Sequence, residues 1–123
     1  MHQLFQANYF INHKNLRTDG IPYWDFNDPK IPVAPRDVSA ATVIASALVE
    51  LYDYTKDENY INYSKKVIET LKSEEYILDD KINAPFILDH STGNWPKNDE
   101  IDEPIVYGDY YFLETLIRLK DHN

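Results

Sequence analysis

Apolar positions recur at spacings of three and four residues along much of this chain, which is the period of amphipathic helices. The pattern predicts four helices, at residues 4–11, 37–51, 57–71 and 107–120. No segment of any length alternates apolar and polar positions in the way that a half-buried strand does. We therefore expect an all-α fold that forms one domain over residues 1–123.

The second predicted helix has a wide apolar stripe and an unusual number of small residues, among them Ala41 and Ala45. Asp37 or Ser39 can accept a hydrogen bond from the free amides at its start. The small residues allow another helix to approach closely. A short link leads into the third predicted helix, which has one apolar and one charged face, so the two should form an antiparallel helical hairpin.

A long proline-rich connection at residues 15–37 joins the first two helices. It contains the aromatic segment Tyr23-Trp24-Asp25-Phe26, which allows two interpretations. The aromatic side chains can fix the loop to the core, or they can form a platform at the mouth of a pocket. For Asp25 we expect hydrogen bonds from the amides of its own loop.

A second long loop, at residues 82–104, leads into the last helix. Loops of this length in a compact domain usually cover a site or bind a ligand. Hydrogen-bond donors and an indole lie together in its sequence: His90, Ser91, Thr92, Asn94, Trp95 and Lys97. This mixture suits a ligand with hydroxyl groups and a flat apolar face, such as a sugar, but it is also compatible with an ordered surface loop.

The charge and composition of the chain exclude several classes of function. The net charge of −9 argues against a protein that grips nucleic acid by its phosphates. There is no cysteine, so disulfides and thiolate chemistry are excluded. No signal peptide or membrane-spanning segment is visible in the sequence, and the cellular compartment stays open. No cluster of His, Asp and Glu has the spacing of metal ligands, and we expect no cofactor.

Four motifs in order resemble the C-terminal part of the unsaturated glucuronyl hydrolases, glycoside hydrolase family 88. They are GIPYWDFNDP at 20–29, PRDVSAA at 35–41, HSTGNWP at 90–96 and YGDYYFLETL at 107–116. Each motif is moderately specific, but their order and spacing make the resemblance strong over essentially the whole chain.

The resemblance implies a fold and a reaction. The family fold is an (α/α)6 barrel of six helical hairpins, and a chain of this length would form about the last third of it. Family members act on oligosaccharides that end in an unsaturated uronic acid. They hydrate the ring double bond by protonation from an aspartic acid and addition of water, after which the ring opens and the aglycone leaves.

No segment matches the two catalytic aspartate motifs of the family, so we assign no catalytic residue to this chain. Asp25 and Asp109 are the tempting acids, but we expect Asp109 to cap the last helix. The resemblance implies contacts with the sugar beyond the cleaved bond, and the predicted substrate-binding residues are Trp24, His90, Ser91, Asn94 and Lys97.

Two functions follow as hypotheses. In the first, the chain is the C-terminal piece of such a hydrolase, supplies barrel wall and sugar contacts, and is inactive alone. In the second, it is a non-catalytic helical module or a truncated remnant that binds sugar or associates with itself. An isolated third of a barrel should expose apolar helix faces, so we expect an oligomer, most simply a homodimer.

Overall fold

A computed structural model describes residues 2–78, 86–93 and 97–122. Within these ranges the regular structure is helical. The helices are α1 (His2–Ile11), α2 (Val38–Thr55), α3 (Glu58–Leu71) and α4 (Val106–Lys120). Pairing of the β type within the described residues is confined to isolated bridges, such as the one between Ser91 and Glu103. The predicted all-α class is confirmed, and the last helix begins one residue earlier than the pattern indicates.

Helix α2 is the centre of the molecule, because both α3 and α4 pack against it. Its buried face combines apolar and small residues: Val38, Ala41, Ala45, Leu48 and Val49. The hydroxyl of Ser64 on α3 donates a hydrogen bond of 2.7 Å to the carbonyl oxygen of Ala45. Such a bond between two helices requires their backbones to lie close together, as the small residues of α2 predict.

The link between α2 and α3 has only two residues. Lys56 ends α2 in the left-handed conformation, with φ of 59°, and its amide donates to the carbonyl of Tyr52. Asp57 then caps α3 by accepting a hydrogen bond from the amide of Asn59. These two ends produce the tight helical hairpin that the sequence predicts.

Helix α1 packs on α3 through aromatic contacts. The rings of Phe10 and Tyr63 meet edge to face, with their centroids 5.4 Å apart. Phe26, from the proline-rich connection, stacks on His13 at 4.2 Å and also contacts Phe10. The aromatic segment therefore fixes this connection to the helices, as the first interpretation proposes.

The long connections meet at the start of α2. The amide of Asp37 donates to the carbonyl of Pro22, and the amide of Trp24 donates to the carbonyl of Pro35. The amide of Val38 donates to the carbonyl of His90 in the second long loop. Both loops are thereby held at one end of the helices. None of the described helices is both long and apolar enough to cross a membrane.

Candidate sugar-contact site

The carboxylate of Asp37 joins the second long loop to the start of α2. Its Oδ1 atom accepts hydrogen bonds from the amide of Ser39 at 3.0 Å and from the Ser39 hydroxyl at 2.6 Å. The same oxygen accepts the amide of Thr92 at 3.1 Å. The predicted helix cap is confirmed, and this cap also attaches the second long loop to α2.

Thr92 adds two further bonds to this attachment. Its hydroxyl donates to the carbonyl of Arg36 at 3.0 Å and accepts the amide of Asp102 at 3.3 Å. Thr92 is almost completely buried. The side chain therefore joins three backbone segments and leaves no hydroxyl for a ligand.

The two halves of the loop run against each other next to Thr92. Ser91 and Glu103 exchange backbone hydrogen bonds of 3.0 and 2.9 Å, and the amide of Gly93 donates to the carbonyl of Glu100 at 2.8 Å. A Cβ atom on Gly93 would lie 3.0 Å from a carboxylate oxygen of Glu100 and 3.3 Å from the hydroxyl of Tyr107. Because Gly93 has no side chain, the Glu100 carboxylate and the hydroxyl of the half-exposed Tyr107 can both approach its backbone.

His90 is held by an acid from the opposite half of the loop. Its Nδ1 atom lies 2.6 Å from Oδ1 of Asp102, and its ring meets the ring of Tyr76 edge to face. Partial burial alone would lower the pKa of His90. The hydrogen bond and charge of Asp102, with the charges of Asp89 and Glu75, outweigh this effect and raise the pKa above its ordinary value.

Both members of this pair have left-handed backbone, with φ of 66° at His90 and 54° at Asp102. Residues other than glycine adopt this conformation only where their surroundings hold them. Here the carbonyl of His90 is held by the first amide of α2, and the amide of Asp102 is held by Thr92. The imidazole is therefore fixed in direction and partly open to solvent.

Asp109 does not cap α4, so that prediction is wrong. The helix begins at Val106, its N-cap position is Ile105, and no side chain caps it. The Asp109 carboxylate is buried and accepts the amides of Ile87 and Leu88, each at 3.0 Å. It therefore holds the incoming end of the second long loop against the first turn of α4.

Trp24 lies in the first long connection, and the groove that it lines contains no residue of the second long loop. Its indole nitrogen donates to Asp28 at 2.7 Å. The amide of Lys30 and this indole, which both donate to Asp28, hold the pKa of that carboxyl below its ordinary value. With Tyr9, Phe10 and neighbouring residues, Trp24 lines an open groove of about 360 Å³.

Asp25 accepts the amide of Asn27 at 2.8 Å, which confirms the expected bond to its own loop. Arg36 is also fully engaged within the protein. Its guanidinium bonds the carboxylate of Asp19 at 2.5 Å and the carbonyl of Ile21 at 2.9 Å, and it lies over the ring of Tyr23. Arg36 is therefore a structural cation of the first connection.

The predicted site residues have different environments. His90 is partly exposed and Lys97 is exposed, whereas Ser91 is 1% exposed and its hydroxyl faces the junction of α2 and α4 near Gly108. Ser91 therefore positions the loop in this structure and does not present its hydroxyl to a ligand. Asn94 lies outside the described residues.

Sequence reasoning missed Asp102 as the partner of His90, because twelve residues separate the two. It also missed Tyr107, whose side chain reaches the loop from the start of α4. Within the described ranges, no three His, Asp or Glu residues are arranged to hold a metal ion. The exposed groups of the site are suited to hydrogen bonds with hydroxyl or acidic groups of a ligand.

The chain resembles known hydrolases along most of its length. It is 64% identical over 112 residues to the unsaturated glucuronyl hydrolase of Formosa agariphila, a match that covers 91% of this chain and 28% of that protein. It is 30% identical over 116 residues to the unsaturated chondroitin disaccharide hydrolase of Streptococcus agalactiae, covering 91% of this chain and 29% of that protein. No family profile matches the chain.

Solved structures of unsaturated glucuronyl hydrolases also match most of the chain. An unsaturated glucuronyl hydrolase specific for heparin superposes with a TM-score of 0.94 at 42% identity, covering 98% of this chain and 33% of that one. The glycosaminoglycan-degrading enzyme of Bacillus sp. GL1 gives 0.79 at 28% identity, covering 94% and 31%. The chain thus spans about a third of the length of these proteins, and its all-helical fold matches a portion of their (α/α)6 barrel, as expected.

Proposed function

We propose, because this chain belongs to the unsaturated glucuronyl hydrolase family, that it supplies one wall and the sugar-contact loops of such a hydrolase. The complete enzyme would release an unsaturated uronic acid from an oligosaccharide by hydrating the double bond of the sugar ring. The catalytic carboxyl groups would come from the rest of the barrel. The 123 residues would form one structural unit of that barrel.

One observation supports this proposal most directly. Two loops that are distant in sequence are fixed together at the start of α2 by the Asp37 carboxylate, the Thr92 hydroxyl and the carbonyl of His90. Donors that are held in place before the ligand arrives favour sugar binding, since less conformational entropy is then lost on binding. The imidazole of His90 is held in this way by both its ring and its backbone.

Each exposed group has a role in the proposal. His90 presents its second ring nitrogen, Nε2, to a hydroxyl or acidic group of the aglycone sugar, while Asp102 holds Nδ1. Lys97 and Asn94 offer further donors, and Trp24 offers an apolar face on which a sugar ring can stack. Ser91 acts through the position of the loop.

The test is a complete enzyme in which this chain replaces the matching segment of the Formosa agariphila hydrolase. Hydrolysis of an unsaturated uronyl disaccharide is followed in the parent chimera and in His90→Asn and Lys97→Ala variants. Asparagine tolerates the left-handed backbone of position 90. We expect KM to rise by about fivefold or more, the loss of a net hydrogen bond of about 1 kcal/mol, with little change in kcat.

Lys66→Ala, on the exposed face of α3, is the matched control and should leave both constants unchanged. If the His90 and Lys97 variants also leave KM unchanged, the loop does not contact the sugar. An inactive parent chimera that is folded would instead contradict the proposal that this segment completes a hydrolase.

A further inference from the structure

Glu100 and Tyr107 bring two polar groups to the same place beside the second long loop. A Cβ atom built on Gly93 would lie 3.0 Å from a carboxylate oxygen of Glu100 and 3.3 Å from the Tyr107 hydroxyl. It would also lie 3.1 Å from Cδ1 of Ile105, which is buried. The two polar groups therefore meet next to an apolar side chain, on the side of Gly93 where any other residue would carry its own side chain.

Both polar groups keep their capacity for hydrogen bonds. Within the described ranges, the Glu100 carboxylate and the Tyr107 hydroxyl form no hydrogen bond and no ion pair. Tyr107 is 42% exposed, Gly93 is exposed and Glu100 is partly exposed. The neighbouring acid Asp102, by contrast, is bound to His90. A ligand in front of Gly93 can therefore reach both groups from solvent.

The backbone holds both residues in position. The Glu100 carbonyl accepts the amide of Gly93 at 2.8 Å, and the Glu100 amide donates to the side chain of the preceding residue at 2.9 Å. Tyr107 is the second residue of α4. A Cβ atom on Gly108, the next residue, would lie 3.4 Å from the backbone of Ser39, so this turn of α4 packs closely on α2. Both side chains thus start from backbone that is already held in place.

The chemistry of the pair determines which ligand groups suit it. A carboxylate only accepts hydrogen bonds, whereas a phenol hydroxyl both donates and accepts. A hydroxyl or amino group of a sugar can donate to the carboxylate and also bond the phenol. A protonated amino group gains the attraction of opposite charges as well, and an anionic substituent is repelled by the carboxylate. The pair therefore favours hydrogen-bond donors over anions.

We propose that Glu100 and Tyr107 form a subsite that selects an aglycone sugar with a free hydroxyl or amino group over the same sugar with an anionic substituent. The inference rests on the proposed function and adds the chemistry that its sugar must present. His90 and Lys97 offer donors to the sugar, and Glu100 with Tyr107 offers acceptors. The loop and the start of α4 therefore contact different substituents of one ring.

The test measures binding and requires no turnover. It uses the complete chimera with the catalytic aspartates of the partner segment replaced by asparagine, and titration calorimetry with unsaturated uronyl disaccharides. The second sugar is unmodified glucosamine, glucosamine with a sulfate on its nitrogen, glucosamine with a sulfate on oxygen 6, or glucose. Comparison of glucosamine with glucose distinguishes an amino group from a hydroxyl group as the donor.

Two variants change the subsite with little change in size. Glu100→Gln removes the charge, and Tyr107→Phe removes the hydroxyl. Glu103→Gln is the matched control for the charge, because Glu103 is exposed in the same loop. Tyr110→Phe is the matched control for the hydroxyl, because Tyr110 is 60% exposed further along α4.

In the parent, a sulfate at one of the two positions should raise Kd at least about tenfold, and Glu100→Gln should reduce this ratio at least about fivefold. Tyr107→Phe should weaken binding of unmodified glucosamine and of glucose about fivefold, as for one lost hydrogen bond. Both controls should behave as the parent. Tighter binding of glucosamine than of glucose that is lost in Glu100→Gln would identify the amino group as the donor, and equal binding would identify a hydroxyl.

Several results would overturn the inference. They are equal ratios in Glu100→Gln and Glu103→Gln, equal binding of the sulfated and unmodified sugars by the parent, and no binding of any disaccharide by a folded parent. Unchanged binding in Tyr107→Phe would overturn the role of Tyr107.

The two proposals can fail separately. Selective binding by the asparagine chimera, with no turnover by the chimera that keeps its aspartates, would support the subsite and contradict the proposed function. Turnover without selective binding would do the reverse.

Discussion

Asp109 is the residue on which the second long loop depends most directly. It is a buried carboxylate, 7% exposed, that accepts two amides from residues 87 and 88. Hydrogen bonds to a charged group contribute more than those between neutral groups, and a buried amide without a partner is costly. Its position therefore explains how the loop is held against α4.

Replacing Asp109 by asparagine should lower the free energy of unfolding by about 2 kcal/mol, because the neutral amide has only one acceptor oxygen for two donors. Urea titration of the chain measures this change. Asp121→Asn, an exposed change just after α4, should stay within about 0.5 kcal/mol. Equal effects of the two variants would contradict the role given to Asp109.

The pair of His90 and Asp102 predicts a pH dependence. Because the folded chain raises the pKa of His90 above its ordinary value of 6.5, the pair contributes its full stabilisation below that value. The contribution is lost as the pH rises through the raised, folded-state pKa. The imidazole must carry its proton for the ion pair to form.

We therefore expect the difference in unfolding free energy between the wild type and His90→Asn to shrink from about pH 6 to about pH 8. Urea titrations at several pH values measure this difference, and every other ionisable group is common to both proteins. Two stability curves that stay parallel over this range would show that the imidazole and Asp102 are not coupled.

For single residues, the sequence predicted side-chain hydrogen bonds between residues a few positions apart. It did not predict the hydrogen bonds between residues that are distant in the sequence. The cap at Asp37 and the loop bond of Asp25 are local, and both were predicted. Asp109 occupies the first turn of a helix, where an acid is normally a cap or a partner of the helix dipole. Its actual partners are more than twenty residues away, and nothing in the local pattern indicates them.

Among the elements, α2 contributes most to the site, because its first turn receives both long loops. The Asp37 carboxylate also accepts the amide of Thr92, whereas, among the described residues, the Asp57 carboxylate accepts only the amide of Asn59 at the start of α3. The two caps therefore form a natural pair for comparison.

Asp37→Ala should lower stability by about 1–2 kcal/mol and should speed amide hydrogen exchange at Thr92, because both the helix and the loop lose an acceptor. Asp57→Ala should cost about 1 kcal/mol as a lost cap and leave exchange at Thr92 unchanged. Faster exchange at Thr92 in both variants would mean that the loop responds to general destabilisation and not to the Asp37 contact.

The helices themselves were predictable, since their apolar periods, caps and link are properties of neighbouring residues. The small residues of α2 also predicted the close contact that Ser64 makes with Ala45. The pairing of loop residues 91–93 with 100–103 was not predicted, because its register depends on backbone conformations such as the positive φ of Glu100 and Asp102.

For the molecule as a whole, apolar side chains are exposed on α4 and along a groove between α1 and α2, around a well-packed centre. Helix α2 packs against both α3 and α4, while Val106, Tyr110, Leu113 and Ile117 of α4 and the wall of this groove are open to solvent. The predicted homodimer and the rest of a barrel would each cover these surfaces. The match to about a third of several hydrolases favours the barrel.

The central claim is that this chain is a working part of an unsaturated glucuronyl hydrolase. Its most direct test is an assay of the purified chain and of the complete chimera on an unsaturated uronyl disaccharide, following the ultraviolet absorbance of the ring double bond. We expect no loss of absorbance with the chain alone and steady loss with the chimera. Turnover by the chain alone, or a folded chimera without turnover, would contradict it.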